Sequence, residues 1–212
     1  MNNKDKEIIK SFVLKRKMGD NRESCLIIAL ENARILCGLD KETGEIERQD
    51  CLGSVCHENN ILEKGSFIGL INYLLILDML GAIFSKEKVG KRINFILEEY
   101  GGFVEEKDRV AIYTLRNTLA HNYGLADNDK KIKFILDNDL TELIVHPDIA
   151  WNGSYSPKND DTKSTQINPR LLINRIEEIY RKIRQKVLDG SLLHELNGGD
   201  EELETRFTII RE

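Results

Sequence analysis

Proline and cysteine are both scarce, with three prolines and four cysteines in 212 residues. So few prolines exclude a proline-rich or collagen-like chain, and four thiols without a tight spacing pattern exclude a disulfide scaffold. Cys25, Cys37, Cys51 and Cys56 read as free thiols in a reducing compartment. The opening residues, MNNKDKEIIKS, lack the apolar stretch of a signal peptide, so the expected location is the cytoplasm. An excess of basic charge is missing as well. Lys and Arg total 31 against 36 for Asp and Glu, and the formal charge of −5 gives a whole-molecule field that repels polyanions. Any nucleic-acid contact must come from a local basic patch. What remains, 41% hydrophobic and 32% charged residues, fits one soluble domain with a core of ordinary size.

There is one long apolar run. Residues 66–84, SFIGLINYLLILDMLGAIF, nearly match the length of a bilayer-spanning helix, but Asn72 and Asp78 interrupt them. In lipid those polar groups are costly, whereas a central helix of a bundle turns them toward partners or water. A buried helix, and no membrane, is the expectation.

Helical spacing recurs in four other places. Residues 21–39 carry Leu26, Ile27, Leu30 and Ile35 as a stripe, with Asp20 and Glu23 resembling a capping box. Val89, Ile93, Ile96, Leu97 and Tyr100 mark a helix that Gly101 and Gly102 stop. Residues 108–123 follow, with Ile112, Leu115 and Leu119 on one side. Asn168 and Pro169 open the last helix, which runs through Leu172, Ile176, Ile179, Ile183 and Val187 to Gly190.

Between the fourth and fifth helices, KIKFIL and TELIV read as a small hairpin about Asp137, Asn138 and Asp139. The expected fold is therefore all-α. It is a single domain over residues 1–212, an up-and-down bundle of about five main helices with a β-hairpin insert and a core spanning about 21–190. The polar stretch 151–166 reads as a mobile loop insertion, and the first dozen residues and the acidic tail 197–212 as loosely attached arms. Within that tail, residues 205–210 could pair as an edge strand or contact a partner.

Several constellations fail on spacing. Gly81, Gly90 and Lys91 are too far apart for a phosphate-binding loop. Cys51, Cys56 and His57, with Cys37 as a conceivable fourth ligand, match no common zinc module, and small thiols in a helix connection are the simpler reading. His146 reads as a turn histidine and His194 as a solvent-facing one. No metal or organic cofactor is expected.

The segment that carries chemistry is RNTLAHNY, residues 116–123, where a guanidinium, an amide, an imidazole and a phenol fall within two helical turns. Arg followed by His at that spacing arises by chance in roughly a quarter of such chains, and requiring the Asn and Tyr as well lowers this to about 0.0006. On an ideal helix Arg116 and Tyr123 lie about 20° apart on one flank, and His121 about 140° from Arg116. Asn117, one turn before His121, is placed to steady the ring. Small Ala120 and Tyr113 occupy the arc between Arg and His. A second copy of this helix packed across that arc in a two-fold homodimer would bring Arg116 of one chain toward His121 of the other. The same letters also suit a helix-end histidine, a surface ion pair and a half-buried tyrosine.

This motif resembles that of the HEPN superfamily, whose ribonuclease members carry Arg, four to six residues, then His, often with a polar residue after the Arg. Here those positions are Arg116, Asn117 and His121. Tyr123 matches an extended form seen in HEPN toxins paired with nucleotidyltransferase antitoxins. The resemblance implies a metal-independent endoribonuclease acting at a dimer interface, with RNA cut by its own 2′-OH. In that case Arg116 and His121 are the catalytic pair, Asn117 positions, and Tyr123 binds substrate or accepts AMP from a partner enzyme. It equally allows a catalytically inactive HEPN-like module that binds or regulates. Charge for RNA would come from Lys130, Lys131, Lys133, Arg170, Arg175, Arg181 and Arg184.

Overall fold

The structure is a computed structural model and describes residues 3–19, 21–45, 66–154 and 161–211. Its central element is the apolar run itself, α3 (Ser66–Phe84), with Leu70, Tyr73, Leu74, Ile76, Leu77, Leu80 and Ile83 all buried. This helix is long and apolar enough to cross a membrane, but 61% of the 67–84 window is buried inside the fold. Hydrophobic burial against other helices accounts for its composition.

Around it stand α1 (Asn3–Leu14), α2 (Cys25–Leu36), α4 (Arg92–Glu99), α5 (Glu106–Asn122) and α6 (Pro169–Leu188). Local chemistry sets their ends. The Ser24 hydroxyl accepts from the Ile27 amide at the start of α2, and the Asn168 side chain accepts from Leu171 at the start of α6. Gly81 lets the start of α4 press on α3, because a Cβ there would stand 2.8 Å from the Arg92 side chain and 2.9 Å from its backbone. The 89–91 turn is a short 3-10 segment leading into α4.

The expected all-α class is overturned. Among the described residues seven helices are accompanied by two sheets of three and four strands, so the fold is mixed α/β. The first sheet has the order β1-β2-β7, from β1 (Lys17–Gly19), β2 (Arg22–Ser24) and β7 (Thr208–Ile210), all antiparallel. It thus joins the two ends of the described chain. The second has the order β3-β4-β6-β5, from β3 (Ala126–Asp127), β4 (Ile132–Leu136), β5 (Ile144–Val145) and β6 (Thr165–Ile167). KIKFIL and TELIV do not form a hairpin with each other. β6 lies between them, parallel to β4 and antiparallel to β5. Strands of two to five residues, paired across long stretches of sequence, leave too little alternation to reveal a sheet.

Other boundaries also differ. The first dozen residues are not a loose arm, since Ile9, Phe12 and Val13 of α1 are fully buried. The tail folds as α7 (Gly199–Phe207), with Leu203 and Phe207 buried, and then as β7, an edge strand. The 151–166 stretch begins with a buried, hydrogen-bonded Trp151 and ends in β6, while 155–160 lie outside the described residues. Asp20 also lies outside them; Glu23 sits in β2, and Ser24 caps α2. Ile35 is 59% exposed because it lies about 140° around α2 from core-facing Leu30.

One buried polar network crosses this core. Glu177 of α6 accepts from Arg34 of α2 through Nε (2.8 Å) and Nη2 (2.7 Å), and from the Tyr73 hydroxyl of α3 at 2.7 Å. Arg34 Nη1 also donates to the carbonyls of Lys41 and Glu42, fixing the turn after α2. Burial alone would lower the Arg34 pKa, but the Glu177 carboxylate outweighs it and holds the guanidinium above its ordinary value. Burial and the same carboxylate push the Tyr73 phenol up, and burial raises the Cys37 thiol to about 12.

Glu177→Ala leaves Arg34 and the Tyr73 hydroxyl buried without their acceptor, and should cost about 3–5 kcal/mol in urea unfolding. Cys37 is buried and its thiol is held in the protonated form, so a thiol reagent followed by peptide mapping should find Cys37 unmodified in the native state and modified after denaturation.

Candidate functional site

All four motif residues belong to the C-terminal half of α5 or its cap. Ala111, Ile112, Leu115 and Leu119 bury the opposite face of the helix, and Arg109 near its start donates to the carbonyls of Phe103 (2.6 Å) and Val104 (2.7 Å). The helix is thereby fixed in rotation, which decides where each motif side chain points.

Arg116 faces α3. Its Nη2 donates to Asp78 Oδ2 in a short charged contact, and its Nη1 donates to Asn117 Oδ1 at 3.0 Å. Its Nε is buried without a hydrogen-bond partner among the described residues. Asp78, one of the two polar interruptions in the apolar run, therefore has a specific partner. The sequence signal was present on both sides, an aspartate within an apolar helix and an arginine within a polar motif, but one chain offers no means of pairing them.

Asn117 sits on the arginine, not on the histidine. It shares α5 with His121, yet its carbonyl oxygen is aimed at the Arg116 guanidinium. His121 lies exposed in the last turn of α5, and among the described residues no hydrogen bond or ion pair engages it. The structure thus brings Arg116 and Asn117 together and adds Asp78, while His121 stands apart.

Tyr123 departs from the helical projection altogether. It is the C-cap of α5, with φ +49° and ψ 31°, in the left-handed region that favours glycine. The amide of Gly124 donates to the Thr118 carbonyl at 3.2 Å, and that of Tyr123 to Leu119 at 3.2 Å, so the chain closes the helix by turning back through a left-handed residue. Tyr123 is 72% exposed. Its ring is therefore not on the Arg116 flank of a continuing helix but at the exposed end of α5, beside His121 in sequence.

A fixed cation flanks the helix. Lys130, in the turn between β3 and β4, donates to the buried Thr114 hydroxyl at 3.1 Å and stands 4.7 Å from the Tyr113 ring centroid. Thr114 is seven residues before His121, about 10 Å along the axis. Of the other candidate cations, Arg175 donates to the Gly101 carbonyl and pairs with Glu178, and Arg170 has a partner of its own.

The two other histidines among the described residues have carboxylate partners that spacing did not reveal. His146 Nε2 is 2.7 Å from Asp108 in the first turn of α5, and His194 Nε2 is 2.9 Å from Asp200 of α7. Both tie a connection to a helix and lie outside the motif. The candidate metal ligands Cys51, Cys56 and His57 lie outside the described residues, and Cys37 is part of the core. A cavity of about 180 Å³ between α1 and β1, lined by Glu7, Ser11, Met18 and the ion-paired Arg22 and Glu204, contains no residue of α5.

These placements separate function from stability. His121→Ala should change unfolding free energy by less than about 0.5 kcal/mol, because the side chain is exposed and makes no described hydrogen bond or ion pair. Tyr123→Gly should stabilise the protein by about 0.5–1 kcal/mol by relieving the left-handed backbone. Arg116→Ala should cost about 1–2 kcal/mol by leaving Asp78 unpaired, with solvent at that carboxylate limiting the loss. Denaturant titration of the three variants checks all three signs.

Comparison of the chain with protein-family models, with curated proteins and with solved structures finds no match, so the assignment of function depends on the chemistry of these residues.

Proposed function

We propose that the protein is a metal-independent endoribonuclease of the HEPN type, cytoplasmic, acting as a homodimer. The observation that carries this reading is the division of labour on α5. One guanidinium is held by two acceptors, while an imidazole and a phenol stand exposed at the helix end with no structural task. Exposed polar groups that stabilise nothing, one of them in a strained backbone conformation, are the pattern expected of a site.

The chemistry follows from residue type. His121 removes the proton from an RNA 2′-OH as that oxygen attacks the adjacent phosphorus; the bond from phosphorus to the 5′ oxygen breaks, and the imidazolium returns a proton to the leaving group. The products are a 2′,3′-cyclic phosphate and a 5′-hydroxyl end. Arg116 stabilises the charge that develops on the phosphoryl oxygens, and Asn117 holds Arg116 in place. No step calls for a metal or an organic cofactor. Within one chain Arg116 and His121 project about 140° apart, so the complete site takes Arg116 from one protomer and His121 from its partner. Tyr123 contacts substrate or serves as the acceptor for AMP from a nucleotidyltransferase antitoxin, a role that suits its exposed hydroxyl. A toxin or defence protein is the corresponding biological setting.

One observation favours a second reading. Arg116 already has a carboxylate partner, as expected of an inactive HEPN-like module in which the same face binds a protein. End-labelled RNA incubated with the protein in excess EDTA separates the two. Cleavage is expected from the wild type and should fall at least about a hundredfold in His121→Ala and in Arg116→Ala, with folding and oligomeric state unchanged. No cleavage of structured or single-stranded RNA by the wild type would favour the binding module.

A further inference from the structure

Asp78 is the only acidic residue in the nineteen of α3, and its carboxylate is directed at the one arginine of the motif. The Arg116 side chain is 17% exposed and that of Asp78 is 31%, so the pair sits at the edge of the core, open to solvent on one side. Asn117 engages Nη1 and Asp78 engages Nη2. Anchoring both terminal nitrogens fixes the plane of the guanidinium as well as its position. Each terminal nitrogen carries two hydrogens, so one on each remains to donate after the two anchors are satisfied.

From this geometry we infer that Asp78 is a positioning residue for phosphate recognition. It holds the plane of Arg116 so that the two remaining hydrogens are presented as a fork to the RNA phosphoryl group, and its negative charge tempers the resting affinity of that fork for anions. This inference rests on the ribonuclease reading of the same site. It assigns α3 a part in the chemistry that the motif on α5 does not contain. A fork fixed in advance spends no binding energy on ordering the arginine, which favours the transition state over the ground state. The nearby carboxylate opposes both, so its removal reduces KM, whereas loss of the anchor reduces kcat.

The experiment compares Asp78→Asn with Asp78→Ala. The asparagine keeps an oxygen to accept from Nη2 and loses the charge; the alanine loses both. RNA cleavage in EDTA should show KM reduced severalfold in both variants, with kcat falling about tenfold or more in D78A and largely recovered in D78N. Nitrogen-15 spectra of the guanidinium groups, assigned with Arg116→Lys, should show slow rotation at Arg116 in the wild type and D78N, and fast averaging in D78A. A merely structural role would reduce activity in step with the folded fraction and would not divide KM from kcat. Wild-type kcat in D78A, or an Arg116 signal unaltered by that substitution, would overturn the role of Asp78 and leave the ribonuclease standing. A wild type that cuts no RNA would overturn the ribonuclease and this role together, even with Arg116 fixed by Asp78.

Discussion

The bidentate bridge between Arg34 and Glu177, with the Tyr73 hydroxyl as third donor, sets the rotation of the central helix. Three long helices meet at this one carboxylate, and a charge pair so deeply buried tolerates little displacement of any of them. Apolar packing alone would leave α3 poorly specified, because its surface is hydrophobic nearly all round. With Tyr73 directed at Glu177, a residue five positions later projects about 140° around the helix. That residue is Asp78. The same buried contact that orders the core thus presents the Asp78 carboxylate to α5, and so determines where Arg116 can lie.

The helices were legible because their periodicity is local. α3 has the bounds that its apolar run suggests, and α6 starts at the Asn168 and Pro169 signal. The sheets were not, because their information lies elsewhere. β2 pairs with β7 from the far end of the chain, and β4 pairs in parallel with β6 across some thirty residues, so neither forms a turn that a short window could show. α1 was missed for another reason. Its charged residues make it resemble a solvated arm, and it takes the complementary surfaces of distant elements, α2, α6 and α7, to bury Ile9, Phe12 and Val13. The Tyr180 hydroxyl donating to the Val13 carbonyl is part of that long-range fit.

The motif was legible as a set of residue types but not as a geometry. An ideal helical projection put Tyr123 on the flank of Arg116, and that projection failed because the helix ends one residue earlier. Gly124 is the nearest glycine, yet the left-handed position falls on Tyr123. The placement follows from the hydrogen bonds that close the helix, which need the left-handed residue immediately after Asn122. Asn117 was expected to orient the histidine and orients the arginine instead. Residues three or four apart on a helix can meet, but whether they do depends on what else draws them, and here a guanidinium already fixed by a carboxylate on another helix is the stronger attraction.

On the ribonuclease reading, an acidic protein has to concentrate its positive charge locally, and the cations along α5 would serve that need. Lys130 is held by Thr114 and Tyr113, so it forfeits less conformational entropy on meeting a phosphate than a free lysine would. Arg116 is held on the other flank. Between them, on the ribonuclease reading, lie Ala120 and the exposed His121, and the small side chain of Ala120 allows a second helix to approach at the 8–10 Å separation of packed pairs. On that reading, a two-fold axis through the arc would double the fixed cations facing one strand of RNA while the net charge of each protomer stays negative. The local field on the arc, rather than the total charge, would then govern association with RNA, and its short range would make that binding sensitive to salt.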